Sequence, residues 1–218
     1  MSKRGVITLV SLLLLMVAVG CSSSEETDQG VLAPALVIPD NYTKFTDESE
    51  SFSIHYPNHW DSEFSKLEDL EEWIKQQISS RVSNVDTSAV HVIFSSVDYT
   101  QDDFFTNVNV IMERVPNDIT AAEYFEATIE LSRTTVNSWQ LHSEQPVTLG
   151  GLRTYMKESS FAFSEIDPGL DGRVRSFQTM LKNPGAGIAW VVTCSFESSD
   201  TSALETCKTV VQTSRLSN

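Results

Sequence analysis

Phe52-Ser53-Ile54-His55-Tyr56-Pro57, with Trp60 three residues further on, is the stretch from which the rest of the chain falls into order. Phe52, Ile54 and Tyr56 alternate with Ser51, Ser53 and His55, the period of a half-buried strand. Pro57 ends that strand, because it offers no amide hydrogen to a ladder. Trp60 then caps the edge of the core. Upstream, Asp47-Glu48-Ser49-Glu50 makes a hairpin turn back to a short strand around Lys44–Thr46.

Downstream the period changes. Leu67, Leu70, Ile74, Ile78 and Val82 recur every three or four residues, which predicts a helix over 64–82. Val90, Val92 and Phe94 return to strand alternation. A polar turn at 98–103 leads to a strand through Val108, Val110 and Met112. Thr120 and Glu123 form a capping-box pair before a second helix over 120–138, whose inner face is Phe125, Ile129, Ser132 and Val136. Gly150-Gly151 breaks the chain before three strand-like runs, 152–163, 174–182 and 188–196. Asp167-Pro168-Gly169 and Asn183-Pro184-Gly185 are the turns between them. A last helix covers 200–214. Strands joined by tight turns pair antiparallel, and amphipathic helices cover the sheet. The predicted class is α+β, a central antiparallel sheet flanked by helices, with no internal repeat.

The amino terminus has a different character. Lys3 and Arg4 precede an apolar run from Val6 to Val19, and Ala18-Val19-Gly20 leads to Cys21. A basic start, a short apolar core and small residues before a cleavage point form a secretory leader. Cys21 directly after them resembles a bacterial-type lipobox. The implied chemistry is cleavage before Cys21 and acylation of its thiol and new amino group. The competing arrangement is an uncleaved anchoring helix. The run from Gly5 to Gly20 is 16 residues, against the roughly 20 needed to span a bilayer. The predicted organisation is a leader over 1–20, a lipidated flexible tether over 21–41 and one domain over 42–218. Asn41-Tyr42-Thr43 is a glycosylation sequon, relevant only in a host that uses it.

The chain has 15 Lys and Arg against 30 Asp and Glu, a net charge of −15. Loss of Lys3 and Arg4 with the leader takes it to −17. Nucleic acid is excluded as a partner, since phosphate binding needs clustered Lys and Arg. With Cys21 committed to lipid, Cys194 and Cys207 remain. Cys194 lies on the Trp190, Val192 and Phe196 face of a strand, and Cys207 on the Leu204 and Val211 face of the helix after it. A helix packing back on the strand brings the thiols together. Two arrangements stay open, a disulfide or two buried thiols.

Candidate chemistry is sparse. His55 and His59, close to Asp61, are the candidate metal ligands, although no third ligand is fixed by spacing. His91 falls on the opposite sheet face from Val90 and Val92, and His142 in a polar loop. Asp98, Asp102 and Asp103, and Glu165, Asp167 and Asp171, are two acidic sets without the spacing of a calcium loop. There is no Gly-x-Ser-x-Gly elbow, no His-Glu-x-x-His and no phosphate-cradling loop.

Four stretches together resemble the PsbP-like superfamily: Phe52–Pro57 with Trp60; Asn107-Val108-Asn109-Val110; Val147-Thr148-Leu149-Gly150-Gly151; and the closing strand and helix from Ala189-Trp190-Val191-Val192-Thr193 to Ser214. The resemblance covers nearly all of 42–216. It implies an α/β/α sandwich and a binding or assembly role at a membrane rather than a shared reaction. No functional residue carries over. The acidity and the cysteine pair depart from the photosynthetic subunit, so photosystem binding is not supported. The sequence therefore predicts a non-enzymatic lipoprotein of the cell envelope. It sits on the outer face of a membrane through Cys21 and binds or assembles another envelope protein, with no cofactor besides its lipid. The alternative is a small-ligand or metal-ion carrier.

Overall fold

The computed structural model describes residues 36–49, 51–62, 67–81, 87–100, 104–165, 168–169 and 171–217. Its elements run β1 (Tyr42–Thr46), β2 (Phe52–Pro57), β3 (Asp61–Ser62), α1 (Leu67–Arg81), β4 (Val90–Val97), β5 (Asn107–Arg114) and α2 (Ala121–Thr135). They continue with β6 (Gln140–Leu149), β7 (Leu152–Ala162), β8 (Arg173–Leu181), β9 (Ile188–Glu197), α3 (Thr201–Gln212) and β10 (Arg215–Leu216). Leader, Cys21 and most of the tether lie outside the described residues.

One sheet has seven strands in the order β3-β4-β5-β9-β8-β7-β6, and a smaller one has the order β1-β2-β10. Every pairing is antiparallel. Strand alternation sends Val108, Val110, Val192, Cys194 and Phe196 to one face of the large sheet, where they meet α3 and Phe52 and Ile54 of β2. Ile111, Val191 and Met180 point to the other face, against Tyr124 and Phe125 of α2 and Ile74 of α1. The result is an α+β fold with a central sheet between helical layers.

Helices α2 and α3 have side-chain caps at their starts. The Thr120 side chain accepts from the Glu123 amide, and the Glu123 carboxylate accepts from the Thr120 amide. Asp200 accepts from the amides of Ser202 and Ala203 at the head of α3. Cys194 of β9 and Cys207 of α3 are joined by a disulfide, with Cα atoms 5.2 Å apart, both fully buried. At the β6–β7 hairpin, Leu149 pairs directly with Leu152 across Gly150 (φ 58°) and Gly151 (φ 84°). Two positive φ values in a two-residue loop are the conformation that glycine supplies most easily.

Three features differ from the sequence expectation. His142 is not in a loop: residues 140–149 form β6, an edge strand paired along its length with β7. Its side chains are mostly exposed on both faces and it contains Pro146, so it carries no alternating signal. Strand β2 is not half-buried; Ser53 is buried too, because β2 is the middle strand of the small sheet and pairs with Arg215 of β10. The two-residue strands β3 and β10 are too short to show periodicity. On α1, Ile74 is buried and Leu67 and Leu70 pack beside it, while Phe64, Val82 and the Ile78 side chain lie outside what is described.

Candidate functional site

The face of the large sheet beneath α1 and α2 is not uniformly apolar. Reading across the strands in register, Glu144 of β6 stands beside Lys157 of β7, Lys157 beside Gln178 of β8, and Gln178 beside Thr193 of β9. Thr193 then stands beside Asn109 of β5, and Asn109 beside Ser95 of β4. One row along, Ser159, Ser176, Ser195 and Asn107 line up in the same way. These two rows form a polar belt across the sheet, and all of their members except Glu144 are buried. The belt divides this face into two apolar clusters, one around Ile111, Val191 and Met180, the other around Val174, Phe161 and Phe104.

Part of the belt is satisfied internally. Gln178 Nε2 donates to Thr193 Oγ1 at 3.0 Å. Asn107 Nδ2 donates to the Phe105 carbonyl at 2.9 Å. Other atoms have no hydrogen-bond partner among the described residues: Gln178 Oε1, Asn107 Oδ1, Ser95 Oγ and both amide atoms of Asn109. Buried polar groups in folded proteins are nearly always paired, so a set of five in one belt is unusual.

Lys157 is the charged member. It is 5% exposed, and its ammonium reaches Thr128 Oγ1 of α2 at 3.5 Å. The Phe125 and Trp139 rings lie 5.6 and 6.0 Å from Nζ, within cation–π range. Burial pulls its pKa down to about 8, against the opposing pull of Glu144. Further along α2, Glu113 of β5 sits beside Tyr124 and both are buried. Burial raises Glu113 to about 7, with the Tyr124 hydroxyl working against the rise. The two groups lie close without full hydrogen-bond geometry, since Glu113 Oε1 and the Tyr124 hydroxyl are both unpartnered.

A separate cleft of about 560 Å³ opens at the head of α2, between Asn117 and Thr120, Leu152 and Arg153, and Met180 and Lys182. The Lys182 ammonium donates to the Asn117 carbonyl there at 2.7 Å. The helix head is already capped by Thr120 and Glu123.

Cyanobacterial PsbP (CyanoP) of Synechocystis sp. PCC 6803 aligns with a TM-score of 0.51 at 14% identity, over 87% of this chain and 99% of that one. The chain has a PsbP-like fold. LpqN of Mycobacterium tuberculosis, described as involved in cell envelope biogenesis, aligns at 0.49 and 13% identity over 81% of this chain and 91% of its own. The Saccharomyces cerevisiae Ran-binding protein Mog1p aligns at 0.42 and 11% identity, over 79% and 87% respectively. No family model and no curated protein matches the sequence.

On this PsbP-like frame the histidines are dispersed. His55 lies in β2, where its amide donates to Thr213 Oγ1 at 2.9 Å and its Nδ1 has no hydrogen-bond partner. Burial lowers its pKa, with Lys44 and Arg215 adding to the effect. His59 faces Asp98, with Nε2 3.7 Å from Oδ2. His91 reaches Glu71 of α1 at 3.5 Å, and the Glu71 carboxylate also accepts from the Val92 amide at 3.0 Å. Glu71 thereby takes the place of a strand neighbour at the free edge of β4. Among the described residues, no three His, Cys, Asp or Glu side chains gather as a metal site.

Of the two acidic sets, only Asp98, Glu165 and Asp171 fall among the described residues. Asp98 accepts from the amide and hydroxyl of Thr100, Glu165 accepts from the Ser138 amide, and Asp171 is exposed. Asp102, Asp103 and Asp167 lie outside the described residues. Asn41 is exposed.

His142 is better placed than its expected loop suggested. Its Nε2 lies 2.8 Å from Ser160 Oγ on β7. Ser160 is buried, however, and its oxygen also accepts from the Arg173 guanidinium at 3.0 and 3.3 Å. A hydroxyl held this way has no open face for a substrate carbonyl. Beside it, Glu158 and Arg175 pair across β7 and β8.

Proposed function

We propose that the chain is a non-enzymatic binding module of the cell envelope. It is held on the outer face of a membrane by a lipid on Cys21 and binds or assembles another envelope protein. The observation that carries this reading is the Cys194–Cys207 disulfide, buried where β9 meets α3. Structural disulfides belong to oxidising compartments, and the sequence before Cys21 is an export leader with a lipidation cysteine. The two features are independent and point to the same side of the membrane. A dual-chain anchor holds where a single chain is marginal. Among the described residues no helix is long and apolar enough to cross a membrane.

The polar belt favours a second reading, a carrier of a small polar ligand, because its unpartnered groups face into the fold. Crosslinking in native membranes, pull-down and mass spectrometry test the first reading, with Cys21→Ala directed to the same compartment as control. One partner recovered near stoichiometry, and lost without the anchor, is the expected result. No enriched partner overturns the assembly reading and leaves the carrier.

A further inference from the structure

Three segments wall the cleft at the head of α2: the loop before that helix, the start of β7, and the end of β8 with the turn after it. Ile119, Leu152 and Met180 make its lining largely apolar. A volume of about 560 Å³ lies in the range of small-ligand sites, which pair a mostly apolar wall with a few polar groups. Its ionisable groups are Arg153, Lys182 and Asp118. The Lys182 ammonium donates to the Asn117 carbonyl at 2.7 Å, a neutral acceptor that leaves its charge uncompensated. Arg153 is exposed, and its guanidinium has no hydrogen bond or ion pair among the described residues. Asp118 is exposed too. Glu123 stands one turn further on, with its carboxylate taken up by the Thr120 amide and hydroxyl at 2.9 and 2.8 Å. In a chain of net charge −15, a lining with two cations against one acid is opposite in sign to the molecule around it.

We propose that this cleft binds a monocarboxylate carried on an apolar body. The carboxylate belongs at Arg153, whose planar fork of donors matches two carboxylate oxygens. Lys182 is the second cation, with donors left over after its bond to Asn117. The apolar body belongs against Ile119, Leu152 and Met180. One negative charge suits the lining, since Asp118 would repel a phosphate dianion twice over. The exposure of Arg153 and Asp118 leaves the cleft open to solvent, so a ligand enters without displacing any element. The head of α2 supplies its own cap, and the site does not rest on it. A free acid and the carboxyl end of a polypeptide carry the same chemistry. The site is independent of which of the two readings above holds.

The test is titration calorimetry on the mature lipidated chain in detergent, with titration into empty micelles as the blank. N-acetyl-L-leucine probes a free acid, and a hexapeptide ending in a leucine carboxylate probes the end of a polypeptide. Each is compared with its carboxamide, and N-acetylglycine supplies the carboxylate without the apolar body. At least one of the two leucine acids is expected to bind with Kd below about 1 mM. Its carboxamide and N-acetylglycine are expected to bind at least about tenfold more weakly. The tighter of the two acids names the source. Arg153→Gln is expected to erase the preference for acid over carboxamide. Lys44→Gln, which removes the same charge from an exposed position of β1 outside the cleft, is expected to keep it. Absence of binding by both acids, equal binding of acid and carboxamide, or an Arg153→Gln chain no more affected than Lys44→Gln each overturns the proposal. The comparison of acid with carboxamide in the unmodified chain decides the matter if the variant does not fold. A chain that binds neither acid yet recovers its protein partner from membranes overturns this site and leaves the assembly reading standing.

Discussion

Glu113 and Lys157 are the residues whose burial has the clearest measurable consequence. Glu113 is raised from 4.5 to about 7, so between those values the folded chain holds a proton that the unfolded chain has released. Stability therefore falls as pH rises from about 4.5 to about 7. Lys157 is lowered from 10.5 to about 8, so between those values the unfolded chain holds a proton that the folded chain lacks. Stability therefore rises from about pH 8 to about 10.5. Urea unfolding across pH is expected to show a minimum near pH 7–8, each limb spanning up to about 3 kcal/mol. Glu113→Gln is expected to remove the acid limb and Lys157→Met the alkaline limb. Variant profiles that run parallel to that of the unmodified chain across these two windows contradict the assignments. Lys157→Met is also expected to leave the fold at least as stable at pH 7, since it removes a buried charge without an anionic partner in contact.

These residues are also where the sequence was least legible. Asn107, Asn109, Gln178 and Thr193 fall at alternate positions of strands, which reads as a solvent face. Their burial follows from a second helical layer, a fact of tertiary structure that strand periodicity does not carry. Lys157 gives no signal at all, because an isolated lysine in a strand is ordinarily exposed. The core-facing half of the same strands was legible, since Val108, Val110, Val192 and Phe196 are apolar in strict alternation. The candidate ligands His55 and His59 were close in sequence, but the strand end separates their environments, one against Thr213 and the other against Asp98.

At the scale of elements, helices announced themselves through caps as well as periodicity. The Thr120–Glu123 box stands in the structure as its spacing implied. Thr120→Ala is expected to cost about 1 kcal/mol in chemical denaturation; a change below a few tenths would mean that packing of Phe125 and Ile129 fixes the helix start instead. Strand β6 shows the opposite case. An edge strand pays no apolar alternation and protects itself with Pro146, a charge at Glu144 and a register irregularity between Leu141 and Ser143. Pro146→Val restores a ladder donor to that edge and is expected to promote self-association, read by light scattering at raised concentration. A variant that stays monomeric would show that the irregularity and the charge are enough.

At the scale of the molecule, the small sheet, α3 and one face of the large sheet form a single core, tied by the Cys194–Cys207 bond. The bond closes a loop of 13 residues, for which about 3 kcal/mol of stabilisation is expected. Reduction should lower the urea midpoint accordingly without abolishing the fold, because α3 also buries Val210 and Val211. Collapse on reduction would mean that this core does not hold without its crosslink. The proposed function, a tethered module facing an oxidising compartment, depends on the amino terminus and on this bond together. Intact-mass spectrometry of the chain extracted from native membranes tests both at once. The account predicts a mass that begins at Cys21 with added acyl chains and lacks the two hydrogens of a Cys194–Cys207 disulfide. A chain that retains residues 1–20, or carries Cys194 and Cys207 as free thiols, contradicts it.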